Sequence, residues 1–410
     1  AKEGLQQPRI DSSQEGIFPL TEFSIEQFSN NVLAGKPYSI EVLFMYKGNP
    51  GFQTLNKHNF HDALKKIPMV ISFDSFINES NIYADLILPL NTFVEEWDEV
   101  SAPGVSFQHV GIRNPVVETF YNTKQLPDIL LNIGKKLSGT INLYPFSSYK
   151  ELIQERANKL FLSGAGAVTT EKIGSRWLEF IRVRGWHIGR YESFDEFWKL
   201  IVSNGGWWDP SAKSLETNEI FKTRSRKFEF YSTALENTLT AKKVTDERSL
   251  NKLNISVRGD TIFMAHHETP PHSENMPLHL IIFRKITNRD GSAANLPLMQ
   301  EMMGYGIREY WVTWAELNPS TAKKYQIKNN DEIWISSDIG SIKARAKICA
   351  GVAEDVVAVP FGLGHTSYGK YANGYGTNPT EIIKNQYDML SGKPAYLATK
   401  VNVSKTIGEV

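Results

Sequence analysis

Hydrophobic positions change their period twice along this 410-residue chain. After a polar lead-in, Ser39 to Tyr46 reads SIEVLFMY, an apolar run of strand length that stops at Lys47-Gly48-Asn49-Pro50-Gly51. A run apolar on both faces and closed by turn residues predicts a buried strand of a parallel sheet. His58 to Lys66 has helical spacing, with Phe60, Ala63, Leu64 and Ile67 along one face. Met69 to Phe73, ending at Asp74, predicts a second strand; Asn78 to Tyr83 predicts a short helix, and Asp85 to Leu88 a third strand ending at Pro89. This alternation is that of an open α/β sheet. Ligands of such sheets sit beyond the carboxyl ends of the strands, which directs attention to Gly48-Asn49-Pro50, to Asp74 and to the segment after Leu88.

From about Tyr144 to Pro271 the texture becomes Trp- and charge-rich. Helices are predicted at Tyr149 to Lys159 and Phe194 to Ile201, separated by turn clusters such as Ser163-Gly164-Ala165-Gly166, and the stretch reads as a connecting region. From Met276 the pattern turns to strands. Leu278 to Phe283 and Val356 to Val359 are apolar, Glu332 to Ser336 alternates, and Ser341 to Cys349 alternates with Lys and Arg outward. Short strands parted by Asn-Asn-Asp, Asp-Ile-Gly and Ala-Gly turns predict a compact barrel-like β domain. The fold class is therefore α/β plus β, divided at 1–143, 144–275 and 276–410.

Composition narrows the function. Lys and Arg number 45 against 45 Asp and Glu, so the positive excess that phosphate backbones select is missing, and no nucleic acid partner is expected. A single cysteine, Cys349, excludes an intrachain disulfide, a Cys-rich zinc site and an iron–sulfur cluster ligated by this chain alone. No stretch approaches the roughly 20 apolar residues of a membrane span. The chain opens on Ala1 without Met or a signal pattern, which reads as a processed, trimmed or excised N-terminus.

Several motifs admit two readings. Gly48-Asn49-Pro50 is either an ordinary strand-ending turn or a place where a ligand approaches the backbone. Asp74 is either a helix N-cap or an acceptor for ribose or base groups. His58 with His61, and His266-His267 with His272, lack the HExxH pattern and a convergent carboxylate, so exposed positions explain them as well as metal does. Glu95, Glu96, Asp98 and Glu99 around Trp97 are paired carboxylates or a solvated face. Phe361 to Pro379, FGLGHTSYGKYANGYGTNP, interleaves glycines with His365, Tyr368, Asn373 and Asn378. A loop of that length is a ligand cradle or a structural excursion.

Taken in order, these segments resemble the molybdopterin oxidoreductases that carry two guanine dinucleotide cofactors, the dimethyl sulfoxide reductase type. EVLFMYKGNPGF and VISFDSFINESNIYADLILPLNTFVEEWD look like that family's strand-turn and its D-x-F-x-x-E-(T/S)-x-x-x-A-D-x-x-L-P segment, through Asp74, Phe76, Glu79, Ser80, Ala84, Asp85, Leu88 and Pro89. FKTRSRKFEFYS is similar to F-x-T-x-S-G-K-F-E-F-Y-S with Arg226 where Gly is usual. Trp314 to Ile348 looks like the dinucleotide-binding β domain, with Asn329-Asn330-Asp331 in place of Asp-Gly-Asp. Asn114 to Leu131 and ETPPHSENMPLHLI look closest to the branch of polysulfide and thiosulfate reductases, menaquinone reductase and alternative complex III.

The resemblance implies a partial α/β lobe followed by a double-psi type barrel, and a molybdenum or tungsten bis(pterin guanine dinucleotide). Gly48, Asn49, Pro50, Asp74 and Phe76 would line one dinucleotide's site; Arg284, Asn288, Ser292, His365 and Asn378 would line pterin or nucleotide in the barrel domain. No residue is assigned as catalytic, and none as a metal ligand. Implied partners are the N-terminal portion of the same subunit or a complementary chain, a ferredoxin-like iron–sulfur subunit and a quinone-binding membrane subunit, on the periplasmic side after twin-arginine export. The expected function is two-electron redox coupled to quinone or sulfur compounds. Two alternatives stay open: a metal-free scaffold of a quinone-linked complex that keeps the fold, and a carbohydrate- or nucleotide-binding protein.

Overall fold

The structure is a computed structural model and describes residues 7–12, 24–55, 57–101, 108–137, 145–169, 191–209, 220–244, 246–268, 275–302, 309–386, 388 and 394–406. By contacts the chain falls into two units, Ala1–Ile87 with Phe230–Val410, and Leu88–Glu229. This division cuts across the three sequence segments.

In the first unit, helix α1 (Ile25–Ala34) starts where the Ser24 hydroxyl accepts from the Gln27 amide at 3.2 Å and stops at Gly35 in the left-handed region. Its Phe28 and Val32 pack with α3 (Lys57–Lys66) on one face of strands β1 (Val42–Tyr46) and β2 (Met69–Asp74). These strands are parallel, with Val42 opposite Met69 and Tyr46 opposite Phe73. Strand β3 (Leu86–Pro89) completes the order β1-β2-β3. The apolar run was expected to be buried on both faces. Instead Met45 is buried against the helices while Val42, Phe44 and Tyr46 are exposed. Among the described residues only one face of β1 meets a layer, and a continuous apolar run cannot reveal whether a second layer is present.

The second unit is an antiparallel sheet of β4 (Asp98–Val100), β5 (Gln108–Arg113), β6 (Ala167–Val168) and β7 (Gly206–Asp209) in the order β4-β5-β7-β6. Helix α4 (Leu126–Lys136) precedes two helices, α5 (Tyr149–Ser163) and α6 (Phe194–Asn204), whose Ile153, Ala157, Phe197 and Ile201 form a core with Ile112 and Trp207. Ser148 and Ser193 cap these helices by accepting from the Glu151 and Glu196 amides. The Trp-rich stretch thus supplies a sheet edge, invisible to periodicity because β6 and β7 are too short to alternate.

Back in the first unit, β8 (Leu278–Arg284), β9 (Trp314–Leu317), β10 (Glu332–Ser337), β11 (Gly340–Ile348), β12 (Val356–Phe361) and β13 (Lys400–Ser404) close into a barrel, in the order β10-β11-β9-β12-β8-β13. Parallel pairs β8 with β12 and β9 with β11 mix with antiparallel ones. Along β11 Ile342, Ala344 and Ala346 face the core while Lys343, Arg345 and Lys347 face outward, the alternation that the sequence predicts. Strands β9 and β13 went unread because four or five residues carry little period.

Two departures from the family pattern fall where the backbone is left-handed. Arg226 has φ 56° and Asn330 φ 73°, and both stand where the resembling segments have Gly. Asn tolerates this region, and Asn330 also accepts a hydrogen bond from Lys347 at 2.7 Å. Arg226 gains nothing comparable. Arg226→Gly should stabilise the second unit by about 1 kcal/mol by removing the Cβ from a left-handed backbone, whereas a β-branched Arg226→Val should be less stable than the parent, read from melting curves.

Candidate functional site

The first unit brings the ends of β1 and β2 against the Gly-rich tract after β12. Past Tyr46 the chain turns through Gly48, and Asn49 begins a short helix, α2 (Pro50–Gln53), with Pro50 at its first position, where a missing N–H costs nothing. The turn cannot shift outward or inward freely. A Cβ on Gly51 would lie 2.7 Å from His61 Nε2 and 2.8 Å from the Glu79 carbonyl. Around Gly48, in contrast, nothing among the described residues lies closer than 3.7 Å to the absent Cβ.

The D-x-F-x-x-E-S segment folds as a nested set of side-chain turns. Asp74 accepts from the Ser75 and Phe76 amides at 2.7 and 3.3 Å and from Asn78 Nδ2 at 3.0 Å. Asn78 Oδ1 in turn accepts from the amides of Ser80 and Asn81. This presents Glu79 inward and leaves Phe76 half exposed beside Tyr368, with ring centroids 5.6 Å apart. Burial pushes the Asp74 carboxyl above its ordinary range, against the hydrogen bonds it accepts.

Glu79 is the hub. Its Oε2 accepts from Asn49 Nδ2 at 2.6 Å, and its Oε1 from the backbone amides of Thr366 at 2.6 Å and Ser367 at 3.0 Å. His365 Nδ1 lies 3.2 Å from both oxygens, while its Nε2 lies 3.2 Å from the Gly291 carbonyl. Both ring nitrogens thus face pure acceptors, which a doubly protonated imidazole satisfies in full and a neutral one only by half. The ring stacks on Phe52 at 3.6 Å and 10° and on Tyr368 at 4.9 Å. Burial raises the Glu79 carboxyl, but the hydrogen bonds from His365 and Asn49 and the charge of His365 outweigh it and bring it to about 2.

Around this hub the Gly-rich tract is pinned. Gly364, at φ 91°, would place a Cβ 2.2 Å from the Asn378 amide nitrogen, so only glycine fits the crossing. Asn378 donates to the Phe52 carbonyl at 2.8 Å and accepts from Thr380 N and Oγ1. Tyr368 donates to the Ser292 carbonyl at 3.0 Å; burial and the Asp74, Asp290 and Glu79 carboxylates push its phenol up to about 12, so it stays a donor. The tract is not a bare loop, since Gly369–Ala372 is helical.

Asn288 completes the set. It is 2% exposed and donates through Nδ2 to the Gly362 carbonyl at 3.0 Å, yet its buried Oδ1 has no hydrogen-bond partner among the described residues. An unmet buried acceptor costs about 1–3 kcal/mol, so this oxygen has capacity for one further donor. Arg284, at the end of β8, is exposed and its charge reaches Asp290, whose carboxylate takes the Ser292 amide. Beside it Lys285 lies over the Trp314 ring at 5.0 Å, its amine drawn down to about 8 by burial. Of the ten sequence-derived residues, Pro50 starts α2, Asp74 accepts from the amides after it, and Ser292 donates its amide to Asp290; the other seven divide by what their groups touch. Asn49, His365 and Asn378 spend their side chains on the chain itself, whereas Gly48, Phe76, Arg284 and the free face of Asn288 are available. Glu79, Phe52, Tyr368 and Lys285 were missed as site residues; the fixed spacing of Glu79 from Asp74 was the one available signal.

The other motifs resolve structurally. His61 stacks on Tyr83, and His266 contacts the Met264 carbonyl and Glu268; His272 lies outside the described residues. Glu96 and Asp98 pair with Arg113, Glu99 with Arg156, and Glu95 accepts from Thr92 and Phe120. Among the described residues no group of three or more His, Cys, Asp or Glu could hold a metal, and no helix is long and apolar enough to cross a membrane.

Comparison with known proteins places both halves of the site in recognised regions. Residues 18–136 match the model for molybdopterin oxidoreductase, and residues 278–400 that for the Molydopterin dinucleotide binding domain. The chain is 27% identical over 397 residues to the arsenate respiratory reductase molybdopterin-containing subunit of Shewanella sp. (strain ANA-3), covering 92% of this chain and 46% of that protein. It is 22% identical to the menaquinone reductase, molybdopterin-binding-like subunit of Nitratidesulfovibrio vulgaris, covering 92% of this chain and 44% of that protein. The chain spans about half the length of these relatives. Acetylene hydratase from Pelobacter acetylenicus shares the fold, with a TM-score of 0.61, 16% identity, and coverage of 93% of this chain and 46% of that one.

The hub makes a pH prediction. A carboxyl held at about 2 against an ordinary 4.5 contributes stability that is fully present above pH 4.5 and is lost as pH falls towards 2. The contribution is about 3 kcal/mol at neutral pH. Denaturant titrations between pH 6 and 2.5 should show the parent losing stability faster than Glu79→Gln; parallel pH profiles would refute the role given to Glu79.

Proposed function

We propose, starting from the fact that this chain belongs to the molybdopterin oxidoreductase family, that it forms the C-terminal part of a respiratory large subunit and helps to bind a molybdenum or tungsten bis(pterin guanine dinucleotide). The observation that carries this reading is the buried Asn288 Oδ1, without a partner among the described residues, at the edge of a glycine-lined hub. Such an acceptor suits a ring N–H or amino group, and the pterin and guanine rings carry both. Asn288 would take that donor, with Ser292 beside it, and Arg284 and Lys285 would face phosphate. Gly48, Asn49 and Pro50 would admit the ligand along their backbone. Asp74, whose second acceptor sites remain, and Phe76 would take a base by hydrogen bond and by stacking. His365 and Asn378 would act indirectly, by holding the cradle's backbone in place through Glu79 and Phe52.

When bound, the cofactor would supply two-electron redox chemistry, and the chain would bind, orient and shield it. We assign no acid, base or nucleophile to these residues. In keeping with the relatives' names, which describe subunits, the wider arrangement we propose has an N-terminal portion or complementary chain covering the exposed face of β1. It also has an iron–sulfur subunit, a quinone-binding membrane subunit and a periplasmic location. Within it residues 1–143 act as a partial lobe, 144–275 as a connecting region and 276–410 as a double-psi type barrel domain.

A second reading has a specific basis. The Nitratidesulfovibrio vulgaris relative is named molybdopterin-binding-like, and a chain of that kind would keep the fold as a scaffold for electron transfer. Metal and nucleotide analysis of the intact particle separates the two. About one Mo or W with two guanine nucleotides per copy is expected on denaturation, and release of neither would overturn the cofactor reading in favour of the scaffold.

A further inference from the structure

One exposed turn carries a charge that the chain as a whole lacks. Within 222–227 four of six residues are cations, Lys222, Arg224, Arg226 and Lys227, in a chain whose 45 Lys and Arg balance 45 Asp and Glu. All four are exposed, and among the described residues none of their side chains makes a hydrogen bond or an ion pair. The turn itself is well tied. The Arg226 amide donates to the Thr223 carbonyl at 3.1 Å, the Thr223 hydroxyl to the Lys227 carbonyl at 2.6 Å, and the Ser225 amide to Glu229 Oε1 at 3.0 Å. Glu229, the one carboxylate within 221–229, is thereby spent on the backbone. Beside the cations Phe228 is 63% exposed, its ring edge-on to Phe221 at 6.1 Å.

Arg226 sharpens the case. It holds the last position of the turn at 223–226 with φ 56°, where glycine is favoured and a Cβ is strained. The side chain costs conformational energy, and its charge meets no partner among the described residues, so this outlier points to function rather than to folding. The kind of anion follows from what the cations lack. A polynucleotide draws on a positive excess that the balanced chain does not have. A protein carboxylate or a free phosphate is gripped by groups whose directions are fixed by neighbouring contacts, and these four have none. A layer of anionic headgroups makes no such demand. It attracts every nearby cation and accepts an exposed aromatic ring at headgroup depth.

We propose that the turn at 222–228 is a peripheral contact for an anionic lipid surface, with its four cations over the phosphates and Phe228 among the headgroups. The turn belongs to the second unit, and its role does not depend on a cofactor in the first. Co-sedimentation of the purified full chain with lipid vesicles tests it. Binding is expected to phosphatidylcholine vesicles containing about 30% phosphatidylglycerol but not to phosphatidylcholine alone, and it should fall as salt rises from about 50 to about 500 mM. Each cation removed should weaken it about fivefold. Arg226→Gly is the most telling variant, because it relieves the backbone: it should bind about fivefold more weakly while melting higher than the parent. Arg224→Gln repeats the loss of charge away from the strained position, should the first variant fail to fold. Phe228→Ala should weaken binding at least about threefold. Lys323→Gln with Lys324→Gln, which removes two exposed cations of the first unit, should leave binding within about twofold of the parent. Equal binding to both vesicle types, parent-like binding by the folded turn variants, or the same loss in the Lys323 and Lys324 control would overturn the proposal. Retention on immobilised polyglutamate without binding to vesicles would overturn it too, in favour of an acidic protein face.

Discussion

A buried carboxylate cannot stay ionised in a protein interior unless its surroundings supply donors, and the first unit is arranged around that requirement at Glu79. Asn49, two backbone amides and His365 converge on it from segments almost 300 positions apart in the chain. Desolvation alone would raise the carboxyl; the hydrogen bonds and the imidazole reverse the sign. The consequence is geometric. The β1 turn, the D-x-F-x-x-E loop and the Gly-rich tract can share one position only if every donor is in place, because a half-satisfied network of this kind is worse than an apolar core.

Division of labour follows from this constraint. Side chains that hold the hub are committed to partners within the chain, as with Asn49, His365 and Asn378. The groups with capacity to spare lie around its margin: the Asn288 carbonyl oxygen, the open side of Gly48, the Phe76 ring and Arg284 at the end of β8. A site built this way presents a preformed surface, since the positions of its outward groups are determined by inward contacts.

Much of the fold was legible in the sequence, for identifiable reasons. Alternation in β11 and the apolar face of α3 are patterns that survive in one dimension because both faces of the element differ. Strands β4, β6, β7, β9 and β13 are too short for a period, and their partners are remote. The single-sided burial of β1 was not legible, because an exposed apolar face and a covered one are spelled alike. At the candidate site, residue types pointed to segments that the structure brings together, while which side chains are spent on the chain itself depends on hydrogen-bond partners that no spacing encodes. Arg226 and Asn330 give the converse case. They stand where the resembling pattern has glycine, and the backbone at both positions is in the left-handed region that glycine favours.

The coupling between Glu79 and His365 is the most direct quantity on which all this depends. A double-mutant cycle with Glu79→Gln, His365→Gln and the double variant, read by denaturant unfolding at pH 7, measures it. A coupling energy above about 1 kcal/mol is expected for partners in one buried network. Additivity within about 0.5 kcal/mol would show that the two residues act independently and that the hub does not hold the site together.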